Sequence, residues 1–380
     1  MGFSIFLSPP NICGKEKEYV KEAFDTNWIA PYGPHLNNFE CEMAQYIGRE
    51  AALACNSGTA GIHLALRWFG VAPGDLVFCS DFTFIGSCNP VLYEYAKPVF
   101  IDSEPRTWNM SPVALEKALR WAQQAGKLPK AVIIIDLYGE SADWDHLEPI
   151  CRHYGVPILE DAAEAVGSTY KGRKCGSFGD VSILSFNGNK IITTSGGGMV
   201  LSNNAVAIAA MRHWATQSRE PTLWYEHKEM GFNYRMSNVS AAIGRGQMCA
   251  LEYKLRRRRE IRDHYAAAFK GLPVYIKESA EPGSNYWLTL AYFEGGGVSP
   301  FQMVTILQNA GIESRPAWKP MHLQPIFSNA IAFSHGARKF ETERIFNHAI
   351  CLPSGDGMTD EQQDMVVNEI RSCFYSVREA

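Results

Sequence analysis

Short apolar runs alternate with helical patterns over the first two-thirds of the chain. Several of these runs are continuous rather than alternating, as expected for strands in a sheet that is covered on both faces. The predicted strands are residues 75–79, 98–101, 131–137, 157–159, 180–185 and 198–201. The predicted helices between them are residues 59–69, 111–125 and 144–154. This order predicts a mostly parallel sheet with helices on both faces, whose ligands bind beyond the carboxyl ends of the strands.

The pattern changes near Met236, where a long helical stretch begins that runs to Lys270. Its four consecutive arginines, residues 256–259, are expected on a solvated helix face because acidic residues flank them. Single cores stop growing near ~250–300 residues, so a chain of 380 residues is expected to divide. We predict a large domain over residues 1–250 and a small α/β domain over residues 251–380.

The composition excludes several classes of protein. The chain has 36 basic and 40 acidic side chains, whereas a nucleic-acid binder would show a basic excess. No apolar run reaches the ~18 residues of a membrane span, and we expect no signal peptide. Ten cysteines are scattered without C-x-x-C spacing, which favours a cytoplasmic protein with reduced cysteines and no metal site. The common dinucleotide, P-loop, zinc-protease and serine-hydrolase motifs are absent.

Two segments carry candidate binding chemistry. Asn56-Ser57-Gly58-Thr59-Ala60 precedes a predicted helix, where free amides and the helix dipole favour a phosphate group. Taken alone, an ordinary helix cap is the commoner explanation. Glu160 and Asp161 follow the apolar residues 157–159, so they fall at the carboxyl end of a strand. Asp161 could hold a protonated ring nitrogen or a metal ion there, and a solvated turn is the alternative.

Lys190 is the third candidate, and it lies in a window without acidic residues from Phe186 to Gly198. A lysine desolvated at this position would have a lowered pKa and act as a nucleophilic amine, although most lysines lie on the surface. A phosphate seat, an aspartate at a strand end and a lone lysine together describe a pyridoxal phosphate site. The lysine forms the Schiff base and Asp161 partners the pyridinium nitrogen.

These segments resemble the DegT/DnrJ/EryC1/StrS family of sugar aminotransferases, which has fold type I of the aspartate aminotransferase superfamily. The resemblance covers nearly the whole chain, and its most specific parts are Glu160-Asp161-Ala162-Ala163 and Ser185-Phe186…Lys190…Gly196-Gly197-Gly198. In finer detail, residues 80–85, 187–198, 225–227 and 315–322 resemble C4 aminotransferases of the UDP-N-acetylbacillosamine pathway. The implied fold is a large mixed-sheet α/β domain with a smaller C-terminal α/β domain.

The resemblance implies pyridoxal 5'-phosphate as cofactor, with Lys190 as the catalytic residue that carries it and then moves the substrate proton. The implied cofactor-binding residues are Gly58, Thr59, Phe84, Asp161, Glu164, Ser185, Asn187, Lys190 and Asn233. Asn233 would reach the cofactor phosphate of the neighbouring subunit, so a homodimer with composite active sites is implied. The implied nucleotide-sugar-binding residues are Asn27, Trp28, Ile29, Ala30, Arg315, Pro316, Trp318 and His322. For Trp318 and His322, a packing role is the alternative.

Two positions depart from the family pattern. Glu164 stands where many relatives carry His or Gln, so its acid should bond the cofactor's 3′ oxygen or be partly neutralised. The run Gly196–Gly198 replaces the more usual Gly-Glu-Gly, and the loop loses one charge. Relatives that dehydrate sugars carry His at the lysine position, so Lys190 favours transamination.

The implied reaction moves an amino group from L-glutamate, leaving 2-oxoglutarate, to C4 of UDP-2-acetamido-2,6-dideoxy-α-D-xylo-hexos-4-ulose. The product, UDP-4-amino-4,6-dideoxy-N-acetyl-D-glucosamine, would enter bacterial glycan synthesis or protein glycosylation. Three alternatives are left open. They are a C3 or C4 aminotransferase for a dTDP or GDP sugar, a pyridoxal phosphate sugar dehydratase, and a non-catalytic binding protein.

Overall fold

The computed structural model describes residues 2–280, 282–295, 297–337 and 339–375. Within them the helices are α1 (Glu16–Asp25), α2 (Pro34–Ile47), α3 (Gly58–Trp68), α4 (Asn89–Tyr93), α5 (Pro112–Gln124), α6 (Trp144–His153), α7 (Ala205–Ala215), α8 (Asn238–Met248), α9 (Leu251–Ala268), α10 (Pro300–Asn309), α11 (Glu341–His348) and α12 (Asp360–Tyr375). The strands are β1 (Ala51–Cys55), β2 (Leu76–Ser80), β3 (Lys97–Ile101), β4 (Ala131–Ile135), β5 (Ile158–Asp161), β6 (Thr169–Tyr170), β7 (Arg173–Lys174), β8 (Val181–Ser185), β9 (Gly198–Ser202), β10 (Val274–Ile276), β11 (Thr289–Phe293), β12 (Arg315–Pro316), β13 (Ile331–Phe333) and β14 (Ala349–Leu352).

The large sheet has the strand order β1-β9-β8-β5-β4-β2-β3-β13. From β8 to β13 in that order, every pair of adjacent strands is parallel. By contrast, β9 is antiparallel to both β8 and β1. The predicted mostly parallel sheet is therefore confirmed, and the six predicted strands correspond to β2, β3, β4, β5, β8 and β9.

Alternate residues of β4 point into two different hydrophobic cores, one on each face of the sheet. Ala131, Ile133 and Ile135 belong to the core that also contains the apolar face of α3. Val132 and Ile134 belong to the core that contains α5 and α6. Because side chains alternate across a strand, burial on both faces requires an uninterrupted apolar run.

The second sheet is antiparallel, with the order β10-β11-β14-β12. Residues of α9, α10 and α12, including Ile261, Leu307 and Val366, form its core. Ile5 bridges to Ile312 next to this sheet, and β13 pairs with β3 in the large sheet. The division at residue 250 stays a prediction, and these two segments cross it. None of the described helices has the length and apolar content that a membrane crossing requires.

The structure refines two expectations about residues 236–270. The helical stretch consists of two helices, α8 and α9, with Cys249 and Ala250 between them. The expected solvated face is wrong for Arg258, which is fully buried and pairs with Asp356 at 3.1 Å. Its neighbour Arg259 is exposed. Helical geometry turns consecutive side chains to different faces, so one arginine of the run points into the core.

Candidate active site

A cavity of about 780 Å³ lies beyond the carboxyl ends of β5 and β8. Asp161 is the last residue of β5 and Ser185 is the last residue of β8, so the sheet brings them to one edge. Eleven of the sequence-derived candidates line the cavity, namely Gly58, Thr59, Phe84, Asp161, Glu164, Ser185, Asn187, Lys190, Arg315, Pro316 and Trp318. Residues of both predicted domains thus share one site.

The start of α3 forms a concave seat with two other segments. Ser57 caps the helix, and its Oγ accepts a hydrogen bond from the Ala60 amide at 3.0 Å. Gly198 lies directly against this turn, where a Cβ would overlap the amide nitrogen of Gly58. A Cβ on Gly58 would lie 3.4 Å from the Cβ of Ser185. Helix-start amides and a serine hydroxyl therefore border the same space, which suits a phosphate group.

Asp161 is buried, and each of its carboxylate oxygens has its own donor. Ser87 donates its hydroxyl to Oδ2 at 2.7 Å, and the Ala163 amide donates to Oδ1 at 3.1 Å. Burial raises the pKa of Asp161, while Ser87, Ala163 and Lys190 act against that rise. An anchored carboxylate in this position is suited to hold a cationic ring nitrogen.

Lys190 extends its amine into the cavity between Glu164 and Trp287. Nζ lies 3.5 Å from Glu164 Oε1 and 3.6 Å from the centroid of the Trp287 ring. Burial lowers the pKa of Lys190, although Glu164 and Asp161 act in the opposite direction. A lowered pKa increases the neutral, nucleophilic fraction of the amine.

Glu164 supplies the carboxylate that the sequence near Lys190 lacks. Its Oε2 accepts a hydrogen bond from the Tyr138 amide at 2.6 Å, and its Oε1 faces Lys190. Burial raises the pKa of Glu164 to about 7, while Lys190 and the Tyr138 amide act to lower it. At neutral pH this carboxyl group is therefore divided between its protonated and ionised forms.

Aromatic side chains form part of the cavity wall. The rings of Phe84 and Trp318 lie 5.9 Å apart, and Phe84, which lies in the loop after β2, is 59% exposed. The Trp318 amide donates a hydrogen bond to the phenol oxygen of Tyr138 at 3.0 Å. Arg315 pairs with Glu313, with 3.2 Å between Nη2 and Oε1.

Residues 27–30 and Asn233 do not line this cavity. The loop at 27–30 is held to α8, where Asn238 Nδ2 donates to the Trp28 carbonyl at 2.9 Å. Asn233 is exposed, and its carbonyl accepts a hydrogen bond from Asn56 Nδ2 at 3.1 Å. A contact of either segment with a ligand therefore stays a prediction.

His322 lies in a hydrogen-bond network outside the cavity wall. Its Nδ1 is 2.7 Å from Asp81 Oδ2, and its Nε2 is 3.1 Å from Glu343 Oε1. Thr342 donates its hydroxyl to the same Asp81 oxygen at 2.7 Å. The ring also stacks on Phe340, with centroids 4.2 Å apart. Both ring nitrogens thus have protein partners. This arrangement favours the packing role of His322 over nucleotide-sugar binding.

Ser87, Trp287 and Lys319 line the cavity but are missing from the sequence-derived candidates. Ser87 is a small polar residue in an irregular segment, with no spacing signal. Trp287 precedes the apolar strand β11 and has the pattern of an ordinary core residue. Lys319 lies between Trp318 and Pro320, inside the segment 315–322 that resembles other family members. That resemblance is the sequence feature from which Lys319 could have been predicted.

Pyridoxal phosphate enzymes of the aminotransferase class need a phosphate seat, an acid for the ring nitrogen and a buried lysine, and this cavity offers each of them. The family model described as the DegT/DnrJ/EryC1/StrS aminotransferase family matches residues 10–371, and the chain belongs to this family. In the described part of the chain, no group of three or more His, Cys, Asp or Glu side chains could hold a metal ion.

Relatives and solved structures agree with this assignment. EpsN of Bacillus subtilis (strain 168), assigned to the pyridoxal phosphate-dependent aminotransferases, is 50% identical over 98% of this chain and 96% of its own. A GDP-perosamine synthase of Caulobacter vibrioides is 39% identical over 96% of each chain. The crystal structure of a DegT DnrJ EryC1 StrS aminotransferase from Brucella abortus has a TM-score of 0.86 at 28% identity, covering 94% of this chain and 95% of that chain. The predicted fold type is confirmed, and the protein is a sugar aminotransferase of a family that uses pyridoxal phosphate.

The residues present fit this cofactor. The glycine at position 198 keeps the seat at the start of α3 open, because any side chain there would overlap the Gly58 amide. Asp161 is anchored as a carboxylate by Ser87 and Ala163. The amine of Lys190 reaches the same cavity.

Proposed function

We propose that the protein transfers the amino group of L-glutamate to C4 of UDP-2-acetamido-2,6-dideoxy-α-D-xylo-hexos-4-ulose, a UDP-4-keto-6-deoxy-N-acetylhexosamine. The products are 2-oxoglutarate and UDP-4-amino-4,6-dideoxy-N-acetyl-D-glucosamine, a building block for bacterial glycans or protein glycosylation. The observation that carries the proposal is the buried Lys190 amine, which faces Glu164 at 3.5 Å in a cavity that also contains Asp161.

The residues of the chain have separable tasks in this reaction. When bound, pyridoxal phosphate supplies an electron sink for the carbon that loses or gains the amino group. Lys190 Nζ takes the proton from Cα of glutamate as a general base in the first half-reaction and gives a proton to C4 of the sugar as a general acid in the second. Asp161 keeps a negative charge beside the ring nitrogen of the cofactor, which holds that nitrogen protonated. The low exposure of both side chains strengthens these charge interactions.

Two positively charged side chains in the cavity wall support a nucleotide sugar as the amino acceptor. Arg315 and Lys319 line the cavity and carry positive charge that a diphosphate requires. The cavity of about 780 Å³ falls within the roughly 300–1,000 Å³ typical of ligand sites. The resemblance of residues 187–198 and 315–322 to C4 aminotransferases favours a UDP-linked N-acetyl sugar.

The proposal includes a homodimer in which Asn233 of each subunit reaches the phosphate seat of the other. Asn233 is exposed in the single chain. The preceding loop exposes Leu223, Trp224 and Tyr225 by 100%, 63% and 78%. Consecutive exposed apolar side chains are typical of a surface that another chain covers, which supports a second copy on this side.

A GDP-linked 4-keto sugar is the second candidate for the acceptor. The similarity to the Caulobacter vibrioides GDP-perosamine synthase, 39% identical over 96% of this chain, favours it. The two acceptors differ in the nucleotide base, the sugar and the substituents of the sugar. Lys190 and Asp161 do not distinguish between them. The choice between them therefore depends on contacts farther out in the cavity.

The test compares the two acceptors directly. Purified wild-type protein and Lys190→Ala are loaded with pyridoxal phosphate and L-glutamate, and each 4-keto sugar is then added separately. Visible absorption of the bound cofactor and the mass of the sugar product are recorded. For the wild type we expect glutamate to bleach the absorption and the UDP sugar to restore it, with an amino group replacing the keto oxygen. Lys190→Ala should show neither change.

Each other result has a defined meaning. Restoration by the GDP sugar alone supports the second candidate. A product that loses oxygen without gaining nitrogen would show a dehydratase. If glutamate leaves the absorption of the wild type unchanged, the proposed amino donor is wrong.

A further inference from the structure

Trp287 contacts Lys190 in two independent ways. The face of its ring lies beside the amine, with Nζ 3.6 Å from the ring centroid. Its indole Nε1 donates a hydrogen bond of 2.6 Å to the carbonyl of Asn189, the residue directly before Lys190. Trp287 therefore restrains Lys190 at two points, the peptide group that precedes it and the amine at the end of its side chain.

Trp287 is itself held by buried polar groups. Its amide donates to Asn285 Oδ1 at 2.7 Å, and its carbonyl accepts from Arg258 Nη1 at 2.7 Å. Asn285 Nδ2 also donates to the Glu164 carbonyl at 2.9 Å. Because Asn285, Trp287 and Arg258 are all buried, this stretch sets the positions of Glu164 and of the lysine together.

We propose that Trp287 is a positioning residue that holds the Lys190 amine against Glu164 whenever the amine is free. The proposal rests on the proposed function, because an aminotransferase releases and recaptures this amine in every cycle. A lysine side chain has four rotatable bonds, and fixing it in advance shortens the search for the reacting geometry. The indole face also favours the protonated form of the amine.

The test uses two variants that separate these contacts. Trp287→Phe keeps a ring face but loses the N–H group, whereas Trp287→Leu loses both. Trp121→Phe is the control, because Trp121 is a partly buried tryptophan of α5 that packs against Phe333, with 5.5 Å between ring centroids. The rate at which cofactor-free protein binds added pyridoxal phosphate is followed by visible absorption. The pH dependence of chemical labelling of Lys190 is measured on the cofactor-free protein by peptide mass spectrometry.

The two variants should give different patterns. Trp287→Phe should bind the cofactor at least about tenfold more slowly, because the Asn189 carbonyl before Lys190 keeps only its hydrogen bond from Ser8. Its labelling midpoint should stay close to the wild type. Trp287→Leu should be equally slow, and its midpoint should fall by about half a pH unit because the protonated amine loses the ring face. Among the described residues the charged groups that face the amine, Glu164 and Asp161, are unchanged in both variants.

Normal binding rates and labelling midpoints in both variants, with thermal melting equal to the control, would overturn the proposal. If neither variant folds, Ser8→Ala decides, because Ser8 Oγ donates the other hydrogen bond to the Asn189 carbonyl at 2.8 Å. Slower cofactor binding by Ser8→Ala supports the role of this restraint, and an unchanged rate contradicts it. A wild-type protein that binds no pyridoxal phosphate would instead contradict the proposed function.

Discussion

Ser87 donates a hydrogen bond of 2.7 Å to Oδ2 of Asp161, from the loop after β2 to the end of β5. Ser87 is itself fixed by Thr83, whose Oγ1 lies 2.9 Å from the serine hydroxyl. Because Asp161 is buried, its ionised form depends strongly on the few groups that donate to it. One hydroxyl group thus helps to keep the buried acid ionised.

Replacing Ser87 with alanine should raise the pKa of Asp161 further and weaken cofactor binding. Hydrogen bonds to charged groups contribute about 1.5–3 kcal/mol, so the dissociation constant of pyridoxal phosphate should rise roughly 10- to 100-fold. The weakening should increase towards low pH, where Asp161 becomes protonated first in the variant. Spectroscopic titration at several pH values measures both effects. Thr83→Val removes only the group that fixes Ser87 and keeps the hydroxyl that donates to Asp161, so its effect should be smaller, and an equal effect would contradict the explanation.

Glu164 should make the cofactor-free protein less stable as the pH rises. Its pKa is raised from 4.5 to about 7 by burial, so the folded chain binds this proton more tightly than the unfolded chain. The stabilising contribution is complete below pH 4.5 and is lost as the pH rises to about 7. Its size is on the order of 3 kcal/mol, because each unit of difference between the two pKa values corresponds to about 1.4 kcal/mol. We expect the melting temperature of the wild type minus that of Glu164→Gln to fall between pH 5 and pH 7.5; a constant or rising difference contradicts the assignment.

Only one of two glycines in the same run, Gly198 and not Gly196, should be sensitive to replacement by alanine. A Cβ on Gly198 would overlap the Gly58 amide nitrogen, whereas a Cβ on Gly196 meets nothing within 4 Å. Gly198→Ala should therefore displace the start of α3, lowering the free energy of unfolding by about 1–3 kcal/mol and weakening cofactor binding. Gly196→Ala should leave both nearly unchanged. Chemical denaturation and cofactor titration of the pair measure the difference, and similar behaviour of the two variants would count against the phosphate seat.

The buried charge cluster at Asp356 should be essential for stability. Arg258 Nη2 and Lys254 Nζ each lie 3.1 Å from an oxygen of this carboxylate. Asp356→Ala leaves two buried cations without a counter-charge, which should cost about 3–5 kcal/mol. The control is Asp360→Ala, which removes the exposed partner of Arg257 and should cost much less, because solvent screens this pair. Urea unfolding measures both losses, and equal losses would contradict the importance of burial.

The sequence predicts the parallel part of the fold because its strands are buried on both faces. β4, Ala131–Ile135, is apolar at every position and cannot be mistaken for a half-exposed strand. By contrast, β1, Ala51–Cys55, contains three alanines and little β propensity, so it is absent from the prediction. Its pairing with β9 and its burial in the core, both long-range effects, make it a strand.

The candidate site was likewise predictable only in part from the sequence. Asp161 and Lys190 are recognisable as a set, because a helix start suited to phosphate, an aspartate at a strand end and a lone lysine occur together in one sequence. The contact between Lys190 and Glu164 could not be predicted, because it requires β5 and β8 to be neighbours with a known register. Trp287 comes from the other predicted domain, and only the folded chain brings it to the lysine.

The late position of β13 in the chain affects how the protein folds during translation. This strand, Ile331–Phe333, lies late in the chain but completes the large sheet next to β3. On the ribosome, most of the sheet can form long before β13 emerges, and one edge of β3 then lacks its partner. Unpaired edge strands invite pairing between chains, so nascent or prematurely terminated polypeptides that end before Ile331 are prone to aggregate. Correct biogenesis therefore depends on shielding this edge until translation is nearly finished.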